Sequence, residues 1–124
     1  MINPINKDHI TIGVIYSFIK KNKESLQQEG ISINSHSNDW GDHYHSESDY
    51  HYEVRLLNRT FRVGYVNVTE DQEDWAQAEA YTYNYLHEII DDKEIQHKNG
   101  KELYHLLTNY KSLQRDSVLS KLLN

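Results

Sequence analysis

The 124-residue sequence contains no cysteine, one proline and five glycines, which are scattered singly. Without cysteine, disulfide scaffolds, thiolate zinc sites, iron–sulfur clusters and cysteine nucleophiles are excluded. The isolated glycines form no phosphate-binding loop, and the sequence has no Gly-x-Ser-x-Gly nucleophile elbow. The chain therefore lacks the short motifs that mark several large classes of enzyme.

Long apolar runs and positive charge are also scarce. The longest apolar stretch covers residues 10–19, which is too short to span a bilayer, and lysines follow it in place of a signal-peptide cleavage site. Thirteen Lys and Arg residues against nineteen Asp and Glu residues give a net charge of −6, which disfavours the nucleic-acid backbone as a partner. We expect a cytoplasmic protein that binds neither membranes nor nucleic acid directly.

Aromatic residues, in contrast, are plentiful. Ten Tyr, two Trp and two Phe residues are too many for a disordered chain, although the mean hydropathy is −0.85. A chain of this length can bury about two-thirds of its unfolded surface, which is enough for a core without disulfides or metals. The sequence therefore predicts one domain that covers residues 1–124.

Hydrophobic spacing predicts a first helix over residues 7–29. Asn6 is the expected N-cap, Ile12, Ile15 and Ile19 share one helical face, and Gly30 suits the left-handed position after a helix. A strand over residues 10–16 is the alternative, because β-branched residues are dense there and glycine weakens a helix.

Alternating residues predict three strands after this helix. A short strand begins at residue 31 and extends toward residue 36, residues 37–42 have the composition of a loop, and residues 50–56 and 61–65 form a hairpin. An Asn58-Arg59 turn places apolar partners on one face: Leu56 with Phe61, Val54 with Val63, and Tyr52 with Tyr65. On the other face it places Arg55 opposite Arg62, which we take as candidate anion-binding residues.

Two helices are predicted in the second half of the chain. Residues 69–72 match a capping box, so a helix is expected from there to residues 91–92. A further helix follows Asn99-Gly100 and carries Leu103, Leu106 and Leu107. The predicted fold is α+β, with an N-terminal helix, a three-stranded antiparallel meander and two C-terminal helices packed on one sheet face.

Histidines and acids are concentrated in residues 35–53. If residues 38–41 close a loop, several imidazoles and carboxylates converge, and these groups suit zinc or another divalent transition metal. The candidate metal ligands are His36, Asp39, Asp42, His43 and His45. The alternative is a solvated hairpin end in which the histidines pair with neighbouring acids, since single motifs often occur without a metal.

Aromatic residues beside acids predict a surface that binds a partner. On a helix, Tyr81 and Tyr83 cannot both face inward with Tyr85, and Trp40 lies in a polar loop. Tyrosine and tryptophan are enriched at protein interfaces. The candidate partner-binding residues are Trp40, Glu70, Asp71, Glu73, Asp74, Tyr81 and Tyr83.

Size, charge and the missing motifs predict a small, non-enzymatic interaction or inhibitor protein. We expect it to occlude a basic site on a protein partner, as a phage, mobile-element or immunity protein would. The alternative is a metal-dependent hydrolase or metal-binding regulator that uses His36, His43 and His45 with the neighbouring carboxylates.

Overall fold

The computed structural model describes residues 10–42, 44–70 and 79–123, and within them it has three helices and one five-stranded antiparallel sheet. The elements are α1 (Ile12–Gln28), β1 (Ser32–Gly41), β2 (His45–Leu56), β3 (Arg59–Glu70), β4 (Glu79–Ile90), β5 (Lys93–Gln96), α2 (Lys101–Thr108) and α3 (Tyr110–Leu123). The predicted α+β class is confirmed. The predicted three-stranded meander is too narrow, because the sheet has five strands in the order β1-β2-β3-β4-β5.

The first helix is real but begins later than predicted. Thr11 caps it, because its side-chain oxygen accepts a hydrogen bond from the Val14 N–H at 3.2 Å. The predicted cap, Asn6, lies outside the described residues. At the other end Gly30 has a positive φ of 106°, as predicted, and its N–H donates to the Gln27 carbonyl. The alternative of a strand over residues 10–16 is wrong from residue 12 onward.

The hairpin between β2 and β3 turns one residue earlier than predicted. Leu57 and Asn58, with φ of 52° and 62°, form the turn, and Leu56 pairs with Arg59. This register differs from the prediction by two residues, and a shift of two leaves every side chain on the same face. The predicted apolar face is therefore preserved, although each predicted partner is wrong.

Side chains on one face of the sheet form the core with the helices. In β2 and β3 this helix face carries Tyr52, Val54, Leu56, Phe61 and Val63, all buried. Helices α1 and α2 pack on it and bury these apolar residues: Ile15, Phe18, Ile19, Leu26, Leu103, Leu106 and Leu107. The opposite face, called the open face here, carries the even residues of β1, β3 and β5 and the odd residues of β2 and β4.

The predicted helix from residues 69–72 to residues 91–92 is wrong wherever this part of the chain is described. Thr69 and Glu70 end β3, residues 71–78 lie outside the described part, and residues 79–90 form β4. Asp91 and Asp92, which were expected at a helix end, have positive φ of 51° and 64° and turn the chain into β5. Tyrosine, threonine and isoleucine favour strands, and the tyrosines at every second position of residues 81–85 indicate a strand. The prediction gave more weight to the capping box and was therefore wrong here.

The last predicted helix is divided at Asn109 into α2 and α3. Helix α2 is anchored in the core, whereas Tyr110 is the one buried residue of α3 within its described range. Val118, Leu119, Leu122 and Leu123 are exposed on α3. No described helix combines the length and apolar character that crossing a bilayer would require.

Candidate functional site

The open face of the sheet contains a groove of about 420 Å³. Strands β1 to β5 each contribute to its walls. Its lining includes the side chains of Trp40, Glu47, Asp49, Arg62, Tyr83 and Tyr85. A concave site with a few converging polar groups is the usual form of a ligand site, so this groove is the candidate functional site.

Gly64 leaves the middle of the open face without a side chain. It pairs with His51 on one side and with Tyr85 on the other, and these two rings lie 6.3 Å apart between centroids. A Cβ at Gly64 would lie 2.5 Å from the His51 Cβ and closer still to the Tyr50 carbonyl oxygen. A glycine in a strand often marks a close approach of this kind.

Rings of histidine and tyrosine line up across the strands at this level. His36 on β1 stacks on His51 with centroids 5.2 Å apart, and His51 lies 6.3 Å from Tyr85 on β4. Tyr85 also packs along its own strand against His87 at 5.0 Å. Because β1 and β4 are separated by two strands, the row spans most of the sheet. It gives the open face an aromatic floor.

One end of the groove is acidic and aromatic. The Trp40 indole N–H donates to Glu47 Oε2 at 2.9 Å, and the Tyr85 hydroxyl donates to Asp49 Oδ1 at 2.7 Å. Burial, and then the hydrogen bond to Asp49, raise the pKa of Tyr85. Burial, and then the negative charges of Glu47 and Asp49, raise the pKa of Tyr83. The tyrosines therefore stay neutral beside two carboxylates.

Of the two predicted anion-binding arginines, Arg62 lines the groove and Arg55 lies on the same face outside it, and both are already paired. Arg55 Nη2 lies 2.6 Å from Glu53, and Arg62 Nη1 lies 3.3 Å from Glu94. The predicted opposition of Arg55 and Arg62 is wrong, since Arg62 faces Glu53 in the register. Arg62 Nε is buried and has no hydrogen-bond partner within the described residues.

The described members of the predicted metal cluster do not converge. His36 lies opposite His51, whereas His45 lies six residues further along β2, roughly 20 Å away at about 3.3 Å per residue. Asp39 points to the helix face, opposite Ser48. His43 lies outside the described residues.

Asp42, another predicted ligand, caps the turn between β1 and β2. Its Oδ1 accepts hydrogen bonds from the N–H groups of Tyr44 at 2.8 Å and His45 at 2.9 Å. These bonds lower the pKa of Asp42. His45 in turn contacts Glu47 at 3.1 Å and Glu70 at 3.4 Å, so the alternative of histidines paired with acids describes this hairpin end.

The predicted aromatic anchors share the open face. Trp40, Tyr81 and Tyr83 are 53%, 50% and 46% exposed. The helical reasoning that placed Tyr81 and Tyr83 apart from Tyr85 is wrong, because alternate residues of β4 point to the same side. Glu70 also lies on this face, while Asp71, Glu73 and Asp74 lie outside the described residues.

Sequence reasoning missed an ion cluster at the far end of the helix face. Glu88, with a side chain 7% exposed, accepts from Arg59 Nε at 2.7 Å and Nη2 at 2.8 Å. His97 Nε2 lies 3.1 Å from Glu88, and Arg59 Nη2 donates to Glu102 at 2.9 Å. Arg59 lowers the pKa of Glu88, and Glu88 raises that of Arg59. The cluster went unseen because Glu88 lies in a segment that was predicted to be a helix and that forms strand β4.

Glu88, His97 and Glu102 have the composition and spacing to hold a metal ion, since one ligand atom from each lies within 4.8 Å of the others. The Arg59 guanidinium already contacts both carboxylates. It therefore supplies much of the positive charge that a cation would bring.

Comparison with known proteins identifies no relative: no protein-family model, no curated protein and no solved structure matches the chain.

Proposed function

We propose that this is a small, non-enzymatic binding protein that occludes a basic region of a macromolecular partner with the open face of its sheet. The observation that carries the proposal is the placement of Trp40, Tyr81 and Tyr83, three half-exposed aromatic residues, on the same side of the sheet. Exposed aromatic groups clustered on one face are typical of interaction surfaces.

Charge supports a basic partner. The described strands place six carboxylates and two guanidiniums on the open face, a formal charge of −4 within a chain of net charge −6. The six acids are Glu47, Asp49, Glu53, Glu70, Glu79 and Glu94. Such a surface accelerates encounter with a positively charged partner and repels acidic ones. An inhibitor or immunity protein encoded by a phage or mobile element, and acting in the cytoplasm, fits this size and charge.

We expect the double variant Trp40→Ser/Tyr81→Ser to lose its partner, because interface aromatics dominate binding energy. The full chain is immobilised, exposed to a lysate of the source organism, and the captured protein is identified by mass spectrometry. Binding of the identified partner should weaken at least about tenfold in the variant, which corresponds to about 1.4 kcal/mol.

The matched control is Val118→Ser/Leu122→Ser, which removes exposed apolar side chains of α3 that are not among the described residues lining the groove. This variant should bind like the wild type, and association should slow as salt is raised. Loss of binding in the α3 variant alone, or association rates that ignore salt, would contradict the proposal.

A structural metal ion is the second candidate, because Glu88, His97 and Glu102 have the spacing to hold one, but the charge of Arg59 counts against it. Because Arg59 already neutralises this group, we expect protein purified without a histidine tag to contain no stoichiometric zinc and to keep its melting temperature in chelator. Stoichiometric zinc that disappears in His97→Ala would reverse this expectation. Zinc that disappears in His36→Ala/His45→Ala would place the ion at the cluster predicted from the sequence and favour the metal-dependent alternative.

A further inference from the structure

We propose that the acidic end of the groove is a receptor for one cationic side chain, preferentially arginine, presented by the partner. This cation pocket is formed by Trp40, Glu47, Asp49 and Tyr83. The inference rests on the proposed function and names the chemistry that the open face would recognise.

The first observation is that some carboxylates of the open face pair with an arginine and others do not. Glu53 and Glu94 on the same face each contact an arginine, at 2.6 Å and 3.3 Å. Within the described part of the chain, no lysine or arginine forms an ion pair with Glu47 or Asp49; their ion pairs are to histidines. Two carboxylates that no lysine or arginine pairs with leave a negative potential at this end of the groove, and an incoming cation would neutralise it.

The second observation is that two aromatic rings next to these acids, Trp40 and Tyr85, are held in place. Glu47 accepts from the Trp40 indole N–H, and one side of the Trp40 ring packs against His45 at 5.1 Å between centroids. Tyr85 is fixed by its hydrogen bond to Asp49. Cations bind over the faces of tryptophan and tyrosine rings, most strongly over tryptophan. Rings already oriented by the acids reduce the entropy lost on binding.

The third observation is that only one carboxylate oxygen of Asp49 contacts other described side chains. Both contacts of Asp49, to Tyr85 at 2.7 Å and to His51 at 3.4 Å, are made by Oδ1. Oδ2 is therefore the atom that would accept from a ligand. A guanidinium can donate to a carboxylate in its own plane while its flat face stacks on a ring, which an ammonium group cannot do. The pocket therefore favours arginine over lysine.

The test uses the full chain and three blocked hexapeptides, of arginine, of lysine and of citrulline, the neutral isostere of arginine. Binding is followed by NMR at the Trp40 indole N–H signal, which is assigned by its loss in Trp40→Phe. We expect a saturable shift with the arginine peptide, weaker binding of the lysine peptide and no shift with the citrulline peptide.

Glu47→Gln/Asp49→Asn should reduce affinity for the arginine peptide at least tenfold. The matched control, Glu24→Gln/Asp116→Asn, removes the same two charges from exposed positions on α1 and α3 and should stay within twofold of the wild type. Tyr83→Leu keeps both carboxylates and should also weaken binding of the arginine peptide. This variant tests the pocket even if Glu47→Gln/Asp49→Asn fails to fold.

Equal losses in the acidic pair and its control would overturn the pocket in favour of unspecific attraction. Equal binding of the citrulline peptide would overturn it too. A partner whose capture depends on Trp40 and Tyr81 but survives Glu47→Gln/Asp49→Asn would overturn the pocket while leaving the proposed function standing. An arginine peptide that binds at Trp40, in a protein that captures no partner, would support the pocket and count against the proposed function.

Discussion

Replacing Glu88 with alanine is expected to remove about 3 kcal/mol of folding free energy. Its carboxylate is almost fully buried and accepts hydrogen bonds from both Nε and Nη2 of Arg59. Removing the carboxylate leaves the half-buried guanidinium without its main acceptor, although Glu102 still accepts one bond. Breaking one side of a buried ion pair costs more than the pair itself contributes, because the remaining charge stays desolvated. Urea unfolding at pH 7 measures the loss.

The matched control is Glu94→Ala, which breaks the ion pair with Arg62. Those side chains are 54% and 41% exposed, so water already screens the pair. Its loss should change the free energy of unfolding by less than about 1 kcal/mol. Equal effects of the two substitutions would contradict the assignment of Glu88 as the buried anchor.

The same ion pair predicts how stability depends on pH. Arg59 holds the pKa of Glu88 below its ordinary value, so in the acidic range the unfolded chain binds this proton more readily than the folded chain does. The stabilisation is therefore complete above the ordinary glutamate pKa of about 4.3 and is lost as the pH falls toward the folded value. Glu88→Gln should be less stable than wild type at pH 7 and approach it at pH 3. A difference in the free energy of unfolding between wild type and Glu88→Gln that stays the same from pH 7 to pH 3 would contradict this.

The helix face of the hairpin could be predicted from the sequence because side chains in a strand alternate. Tyr52, Val54 and Val63 are buried as expected, although the turn is at Leu57-Asn58 and every predicted partner is displaced by two. An error of two residues preserves faces, and an error of one would have exchanged them. The pattern thus fixes the face, whereas the turn conformation fixes the register.

Strand β4 could not be recovered in the same way, because its sequence satisfies both periods. Leu86 and Ile89 fit a helical stripe, while Tyr81, Tyr83 and Tyr85 alternate as in a strand. A capping box at residues 69–72 led to the prediction of a helix. In the structure, β4 pairs with β3 at eleven positions, and this pairing determines that the segment is a strand. Local propensity is weak against a ladder of this length.

The sequence analysis named several residues of the candidate site but did not predict that they lie together. Trp40, Tyr81 and Tyr83 were predicted as partner-binding residues, yet only the five-stranded sheet places them on one face. Glu47 and Asp49 belong to the segment of residues 35–53 in which a metal site was predicted, whereas the structure puts them beside tryptophan and tyrosine. These relations join β1, β2 and β4, and contacts between strands far apart in sequence are not encoded in local spacing.

Gly64→Ala should cost about 3 kcal/mol of folding free energy, and Gly64→Val should prevent folding. The alanine Cβ would lie 2.5 Å from the Cβ of His51 and would overlap the Tyr50 carbonyl oxygen. The overlap with a backbone atom of the central strand pair cannot be relieved by a change of rotamer. Strands β2 and β3 would have to move apart, which disrupts the ladder beneath the groove. Urea unfolding followed by circular dichroism measures the effect.

Gly13→Ala is the matched control, because it makes the same chemical change at a site with room. The nearest atom to a Cβ there is the side-chain nitrogen of Asn84 at 3.3 Å, which can shift. Alanine also favours a helix over glycine by about 1 kcal/mol, so this variant should be as stable as wild type or slightly more so. If Gly64→Ala matched Gly13→Ala in stability, the close approach of His51 to β3 would be wrong. The groove, whose floor depends on that approach, would then lose its structural basis.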